Sequence, residues 1–133
     1  MPAMVLDSYA LIAYFRDEPA ATAVEVLLTK AAVSDRPLHM TEVNYAEVKH
    51  TLLRKDGPES WAATARILEG LPIEFHPVTR ELADLAAEFK ARFRLSLADA
   101  LAAALAKQKK ADLITGDPEF KQLEKEIKIG WLK

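Results

Sequence analysis

Apolar residues follow two alternating rhythms along this chain. Short apolar runs of strand length recur at Val5-Leu6, Leu38–Met40, Ile73–Phe75, Leu113-Ile114 and Ile127–Trp131. Between them, apolar residues fall at helical spacing. Ser8–Arg16 puts Leu11, Ile12 and Phe15 on one face, and Asp17-Glu18-Pro19 breaks it. Ala20–Ala32 does the same with Val24, Leu27, Leu28 and Ala31. Thr41 is a good N-cap for a helix reaching about Lys55. Asp56-Gly57-Pro58 predicts a stop there, and Glu59–Glu69 a further helix carrying Trp61, Ala65 and Leu68. Thr79–Phe93 has the cleanest stripe: Leu82, Leu85, Ala86, Phe89 and Phe93. The helix opened by Ser96 is apolar nearly all round to Lys109, which predicts burial, and Pro118 starts a short last helix.

Strands therefore alternate with helices or helix pairs, and no Asn-Gly hairpin turn occurs. This is the pattern of an α/β fold: a doubly wound parallel sheet of four or five strands with helices on both faces. Residues 1–133 read as a single domain, since 133 residues fill one core and no linker or repeat interrupts them.

Composition narrows the chemistry. With 50% hydrophobic and 29% charged residues the chain is globular rather than disordered. A formal net charge of −2 counts against a general polyanion binder. The absence of cysteine excludes disulfides, thiolate metal sites and cysteine nucleophiles. His39, His50 and His76 are scattered and form no HxxxH pair, so no histidine-rich metal site is expected. The N-terminus has neither the basic region nor the apolar run of a signal peptide, so a cytoplasmic location is expected.

In a doubly wound sheet, ligands bind beyond the carboxyl ends of the strands. Asp7 follows the first strand, and Asp117 follows Leu113-Ile114 across Thr115-Gly116. Glu47 lies in the second turn of the Thr41 helix, and Asp99 in the first turn of the Ser96 helix. Each acid has an ordinary explanation. Asp7 and Asp117 suit N-caps, Asp99 suits a capping box with Ser96, and Glu47 suits a solvated face beside Arg54. Together they are harder to dismiss. Asp99 is the only charge between Leu95 and Ala106, with no Lys or Arg one turn away to pair it. Carboxylates gathered in one cleft repel unless a cation neutralises them. An all-oxygen site suits Mg²⁺ or Mn²⁺, and phosphodiester hydrolysis is the chemistry such a site serves.

These segments resemble the PIN-domain family of metal-dependent ribonucleases. Val5-Leu6-Asp7-Ser8-Tyr9-Ala10-Leu11 resembles the first motif, and Thr41-Glu42-Val43-Asn44-Tyr45-Ala46-Glu47 the second. Leu95-Ser96-Leu97-Ala98-Asp99-Ala100 resembles the third, and Leu113-Ile114-Thr115-Gly116-Asp117-Pro118-Glu119-Phe120 the fourth. The resemblance covers essentially the whole chain. It implies that Asp7, Glu47, Asp99 and Asp117 are the catalytic and metal-holding acids, served by Mg²⁺ or Mn²⁺. Ser8 and Thr115 map to supporting hydroxyls. Asn44 either orients Glu47 or, as the simpler expectation, is a surface polar residue. It further implies an RNA substrate, the toxin role of a VapC-type toxin–antitoxin pair, an antitoxin protein that covers the groove, and a homodimer.

Arg54, Lys55, Arg80, Lys90, Arg92 and Arg94 are the basic candidates for an RNA backbone, with Arg92 and Arg94 flanking Phe93 before the Ser96 helix. Solvated helix faces are the favoured explanation for most of them. The alternative to a nuclease is a non-catalytic or RNA-processing PIN-like binding module. A receiver or haloacid-dehalogenase-like phosphatase fits less well, because the latter needs Asp-x-Asp and position 9 is Tyr9.

Overall fold

The computed structural model describes residues 2–132. The elements run β1 (Met4–Leu6), α1 (Ser8–Phe15), α2 (Ala21–Ser34), β2 (Leu38–Thr41), α3 (Glu42–Glu69) and β3 (Ile73–His76). Then come α4 (Arg80–Arg92), α5 (Leu97–Lys109), β4 (Asp112–Thr115), a 3-10 turn (Pro118–Leu123) and β5 (Ile129–Trp131). The five strands form one sheet in the order β3-β2-β1-β4-β5, and every pairing is parallel. The chain winds outward from β1 in both directions, so the switch in winding lies at β1, with β2 on one side and β4 on the other. The expected α/β architecture is the observed one.

Strand alternation divides the core between the two faces. Val5 and Leu113 point toward α4, α5 and the 3-10 turn, where they meet Leu82, Phe89, Leu101, Leu105, Phe120 and Leu123. Leu6, Leu38, Met40 and Ile114 point the other way, onto Leu11, Val24, Leu28, Val48, Leu52 and Trp61 of α1, α2 and α3. α5 is the deepest helix, with every residue from Ala100 to Ala106 buried. Its alanines let it pack closely against α3, α4 and the sheet at once.

Asp56-Gly57-Pro58 divides α3 into two helices, as the sequence predicts: Gly57 leaves helical geometry, at φ 87°. Glycine tolerates that angle, and Pro58 restarts the helix at a place where its missing N–H costs nothing. The last strand starts at Ile129 rather than Ile127, because the Ile127 N–H is taken by the Leu123 carbonyl. The helix after Pro118 is of the 3-10 type. Among the described residues no helix is long and apolar enough to cross a membrane.

Candidate active site

The site grows from the end of β1. Asp7 is the N-cap of α1, its Oδ1 accepting the Ala10 N–H at 3.1 Å. Its other oxygen, Oδ2, accepts the Thr115 hydroxyl from the end of β4 at 2.5 Å. The capping role and the site role therefore use different oxygens of one carboxylate. Asp7 is only 2% exposed. Burial drives its carboxyl up to about 7, and the negative charges of Asp99 and Asp117 push the same way, against the two hydrogen bonds.

The other acids arrive from two helices and the turn after β4. Asp99 sits in the first turn of α5, where Ser96 caps the helix through the Asp99 N–H at 3.1 Å. Its carboxyl is raised to about 6, first by burial and then by Asp117, with Glu47 and Glu119 adding smaller repulsions. Carboxylate oxygens of Asp99, Asp117 and Glu119 all lie within 4.8 Å of one another. Glu47 is half-buried on α3 and reaches the group through its field at Asp99. Asp7, Asp99 and Asp117 thus act on one another at one edge of the sheet and Glu47 acts on Asp99, while the group within 4.8 Å holds Asp99 and Asp117 but neither Asp7 nor Glu47. Glu119 is the acid that sequence reasoning passed over. Asp117 Oδ1 accepts the Glu119 N–H at 2.9 Å, and this tight Asp-Pro-Glu turn carries the second carboxylate back beside the first.

The donor set fits a hard divalent cation. The donors are carboxylate oxygens, and among the described residues no lysine or arginine pairs with any of them. The N-termini of α1, α3 and α5 also face this edge, each closed by a side-chain cap from Asp7, Thr41 or Ser96. Their positive ends favour negative charge there.

A buried polar network fixes those helices. Asp7, Ser8, Thr41, Asn44 and Thr115 are all the buried polar residues among those described, and every one belongs to this edge. Asn44 is fully buried rather than a surface residue. Its Nδ2 donates to Ser8 Oγ at 3.1 Å and to the Ala98 carbonyl at 3.3 Å, while its Oδ1 accepts the Thr41 hydroxyl at 2.5 Å. One amide therefore joins the starts of α1, α3 and α5, and the carbonyl it holds directly precedes Asp99. The available signal was its position three residues after a threonine N-cap, where a side chain closes a capping box. Ser8 bonds Asn44 rather than an acid: its hydroxyl donates to the Asn44 carbonyl at 3.3 Å. Among the described residues, no buried side-chain polar atom lacks a partner.

The basic candidates differ in how far their charge is already engaged. Arg92 Nη2 is 2.6 Å from Glu126, and its guanidinium covers the Phe93 ring, so its charge is already engaged. Lys90 holds the Leu95 carbonyl at 2.9 Å. Arg94 is exposed, and Gln122 clasps its backbone on both sides: the Arg94 N–H donates to Oε1 and Nε2 donates to the Arg94 carbonyl, each at 3.0 Å. The same Nε2 donates to the Glu119 carbonyl at 2.9 Å, fixing Arg94 beside the acidic turn. Arg54 is exposed in a shallow depression on α3 with His50, Thr51 and Lys55. Gly116, between Thr115 and Asp117, leaves room for Tyr9: a Cβ there would come within 2.4 Å of the phenol ring. Two of the three histidines are not scattered in space. His39 and His76 meet across adjacent strands, 2.8 Å apart, because register rather than sequence spacing brings them together.

With this geometry established, the comparison with known proteins is decisive for the family. The sequence matches the PIN domain over residues 4–126. The chain belongs to the PIN-domain family. This PIN domain is also similar in fold to solved toxin–antitoxin proteins. VapBC2 from Rickettsia felis, crystallised bound to a fragment of its promoter DNA, matches with a TM-score of 0.79 at 14% identity, covering 98% of this chain and 99% of that one. VapC20 from Mycobacterium tuberculosis, described as a Sarcin-Ricin loop cleaving toxin, matches at 0.72 and 19% identity over 90% of this chain and 94% of that one. VapBC-5 from the same organism matches at 0.65 and 23% identity, covering 99% of each chain. No curated protein matches the sequence.

Proposed function

We propose that this PIN domain is an RNA endonuclease that hydrolyses phosphodiester bonds with Mg²⁺ or Mn²⁺, and that it is the toxin of a VapBC-type toxin–antitoxin pair. The observation that carries the catalytic reading is the unpaired acid cluster. Asp99, Asp117 and Glu119 crowd within 4.8 Å, and burial raises the pKa of the nearby Asp7 carboxyl to about 7. An arrangement this repulsive is retained where a cation repays it.

In this reading Asp7, Glu47, Asp99 and Asp117 hold the metal, with Glu119 at its margin. When bound, Mg²⁺ or Mn²⁺ supplies charge neutralisation at the phosphate and acidifies water. The chain's own groups do the rest. Asp7 and Asp99 release their protons as the site fills. Thr115 keeps Asp7 turned toward the cleft through the 2.5 Å bond. Asn44 sets the spacing between the starts of α1, α3 and α5, and so the spacing of Asp7, Glu47 and Asp99. Arg94 contacts a neighbouring phosphate of the strand, and Arg54 is a second, weaker contact. Water adds to phosphorus, and the ester oxygen leaves with a proton.

The toxin role rests on the VapBC relatives and is a narrower claim than the chemistry. It carries with it an antitoxin partner seated on the cleft, a homodimer and residence in the cytoplasm. The test is cleavage of structured RNA by the purified chain. Cleavage should require Mg²⁺ or Mn²⁺, stop with EDTA, and vanish in folded Asp7→Asn and Asp99→Asn. The same substitutions should relieve growth arrest on expression. Metal binding without cleavage of any RNA offered would favour the non-catalytic reading.

A further inference from the structure

A second concentration of ligating groups lies on β2 and β3, on residues separate from the acid cluster. His39 is register partner of Glu74, and His76 stands two residues beyond Glu74 on the same strand face. His39 Nδ1 is 2.8 Å from His76 Nε2. Glu74 Oε2 is 3.4 Å from His39 Nδ1 and 4.0 Å from His76 Nε2. Ligands about 2.0–2.1 Å from a tetrahedral zinc ion lie about 3.3 Å apart, and the three observed separations bracket that value. One ligand atom from each residue lies within 4.8 Å of the other two.

We propose that His39, Glu74 and His76 form a second metal site, for a borderline-soft divalent ion of the zinc class, which fastens the edge strand β3 to β2. Two imidazole nitrogens and one carboxylate oxygen are the donor set of zinc rather than of magnesium. The rings are ready as ligands, because burial lowers the pKa of both, with the Lys109 charge adding to it and Glu74 opposing. Neutral imidazole is the form that binds metal. The His39 and His76 side chains are 13% and 19% exposed, whereas Glu74 is 56% exposed. The ion therefore enters from the Glu74 side, where β3 has no further strand beside it, and keeps an open position for water. The Lys109 charge acts on both rings and opposes a bound cation. Without metal, His39 and His76 share a hydrogen bond and Glu74 stands beside them as a charge partner, which is the rival account.

The test uses tag-free protein with Mg²⁺ in excess, so that the acid cluster is occupied. Calorimetric titration should find one Zn²⁺ per chain in the wild type and in Asp7→Asn/Asp99→Asn. His39→Gln and His76→Gln should each weaken it at least tenfold. At 100 times the wild-type Kd, Zn²⁺ should raise Tm by roughly 5–10 °C in the wild type and in the acid double variant, and by clearly less in His39→Gln and His76→Gln at the same Zn²⁺ concentration. Ring resonances read the site without any substitution. Zn²⁺ should shift those of His39 and His76 and leave exposed His50 unmoved. Zn²⁺ binding that survives both histidine substitutions, disappears in the acid double variant, or moves none of the three rings would overturn the site. These outcomes are independent of RNA cleavage.

Discussion

The Thr115 hydroxyl lies 2.5 Å from Asp7 Oδ2, joining the ends of β4 and β1 across 108 residues. This contact crosses the point where the sheet reverses its winding, and it turns a buried carboxyl toward the other acids. Thr115→Val keeps the shape and removes the donor. Loss of a hydrogen bond to a buried carboxyl should cost about 1–3 kcal/mol in urea unfolding without metal. It should also raise the Asp7 pKa further, because the Thr115 bond lowers it. Thr115→Ser should restore both.

The pH dependence of stability should run opposite to that of most carboxylates. The Asp7 carboxyl titrates near 3.8 in the unfolded chain and about 7 in the folded one. Asp99 moves the same way, to about 6. Between those values the native state binds more protons than the unfolded state, so its stability falls as pH rises. Metal-free protein should therefore lose Tm from these groups between about pH 4 and 7. Asp7→Asn should flatten that fall and raise Tm at pH 8. Mn²⁺ competes with the same protons, so its stabilisation should be larger at pH 8 than at pH 6. Scanning calorimetry with and without Mn²⁺ at both pH values measures each effect.

Asn44→Ala should destabilise by about 1–3 kcal/mol, since it leaves the buried Thr41 hydroxyl without its acceptor and removes the bonds to Ser8 Oγ and the Ala98 carbonyl. Metal affinity should fall with it, because the starts of α1 and α5 are no longer tied to α3. A fall in stability with Mn²⁺ affinity unchanged would limit Asn44 to a packing role.

Glu119→Gln separates the acid that sequence reasoning missed from its neighbours. Glu119 is exposed, so stability should change by less than about 0.5 kcal/mol. Mn²⁺ affinity should drop by roughly tenfold. Arg94→Gln should leave Mn²⁺ affinity intact and weaken RNA binding, with a shallower salt dependence.

Much of this was legible in the chain because strand-end acids and helix caps are local features. Asp7, Thr41, Ser96 and Asp117 announce themselves by standing between an apolar run and a helix. The parallel order followed from the alternation of strands with helices. What was hidden depends on register and packing. His39 and His76 are 37 residues apart and meet only because β2 and β3 pair with Thr41 opposite His76. Asn44 reads as a polar residue on a helix, and only the approach of α1 and α5 buries it. Gly57 reads as a terminator and is one, but that Trp61 and Leu68 of the second half of α3 pack into the same core as Val48 and Leu52 of the first is set by packing alone.

The central claim is that the acid cluster is a metal centre built around Asp7. Its most direct measurement is Mn²⁺ titration of the wild type against Asp7→Asn, followed by Tm and by RNA cleavage on the same samples. The account predicts that Mn²⁺ raises the Tm of the wild type and switches on cleavage. In Asp7→Asn, folded and more stable without metal at pH 8, it should do neither. Cleavage by Asp7→Asn at the wild-type rate, or a wild-type Tm indifferent to millimolar Mn²⁺, would contradict it.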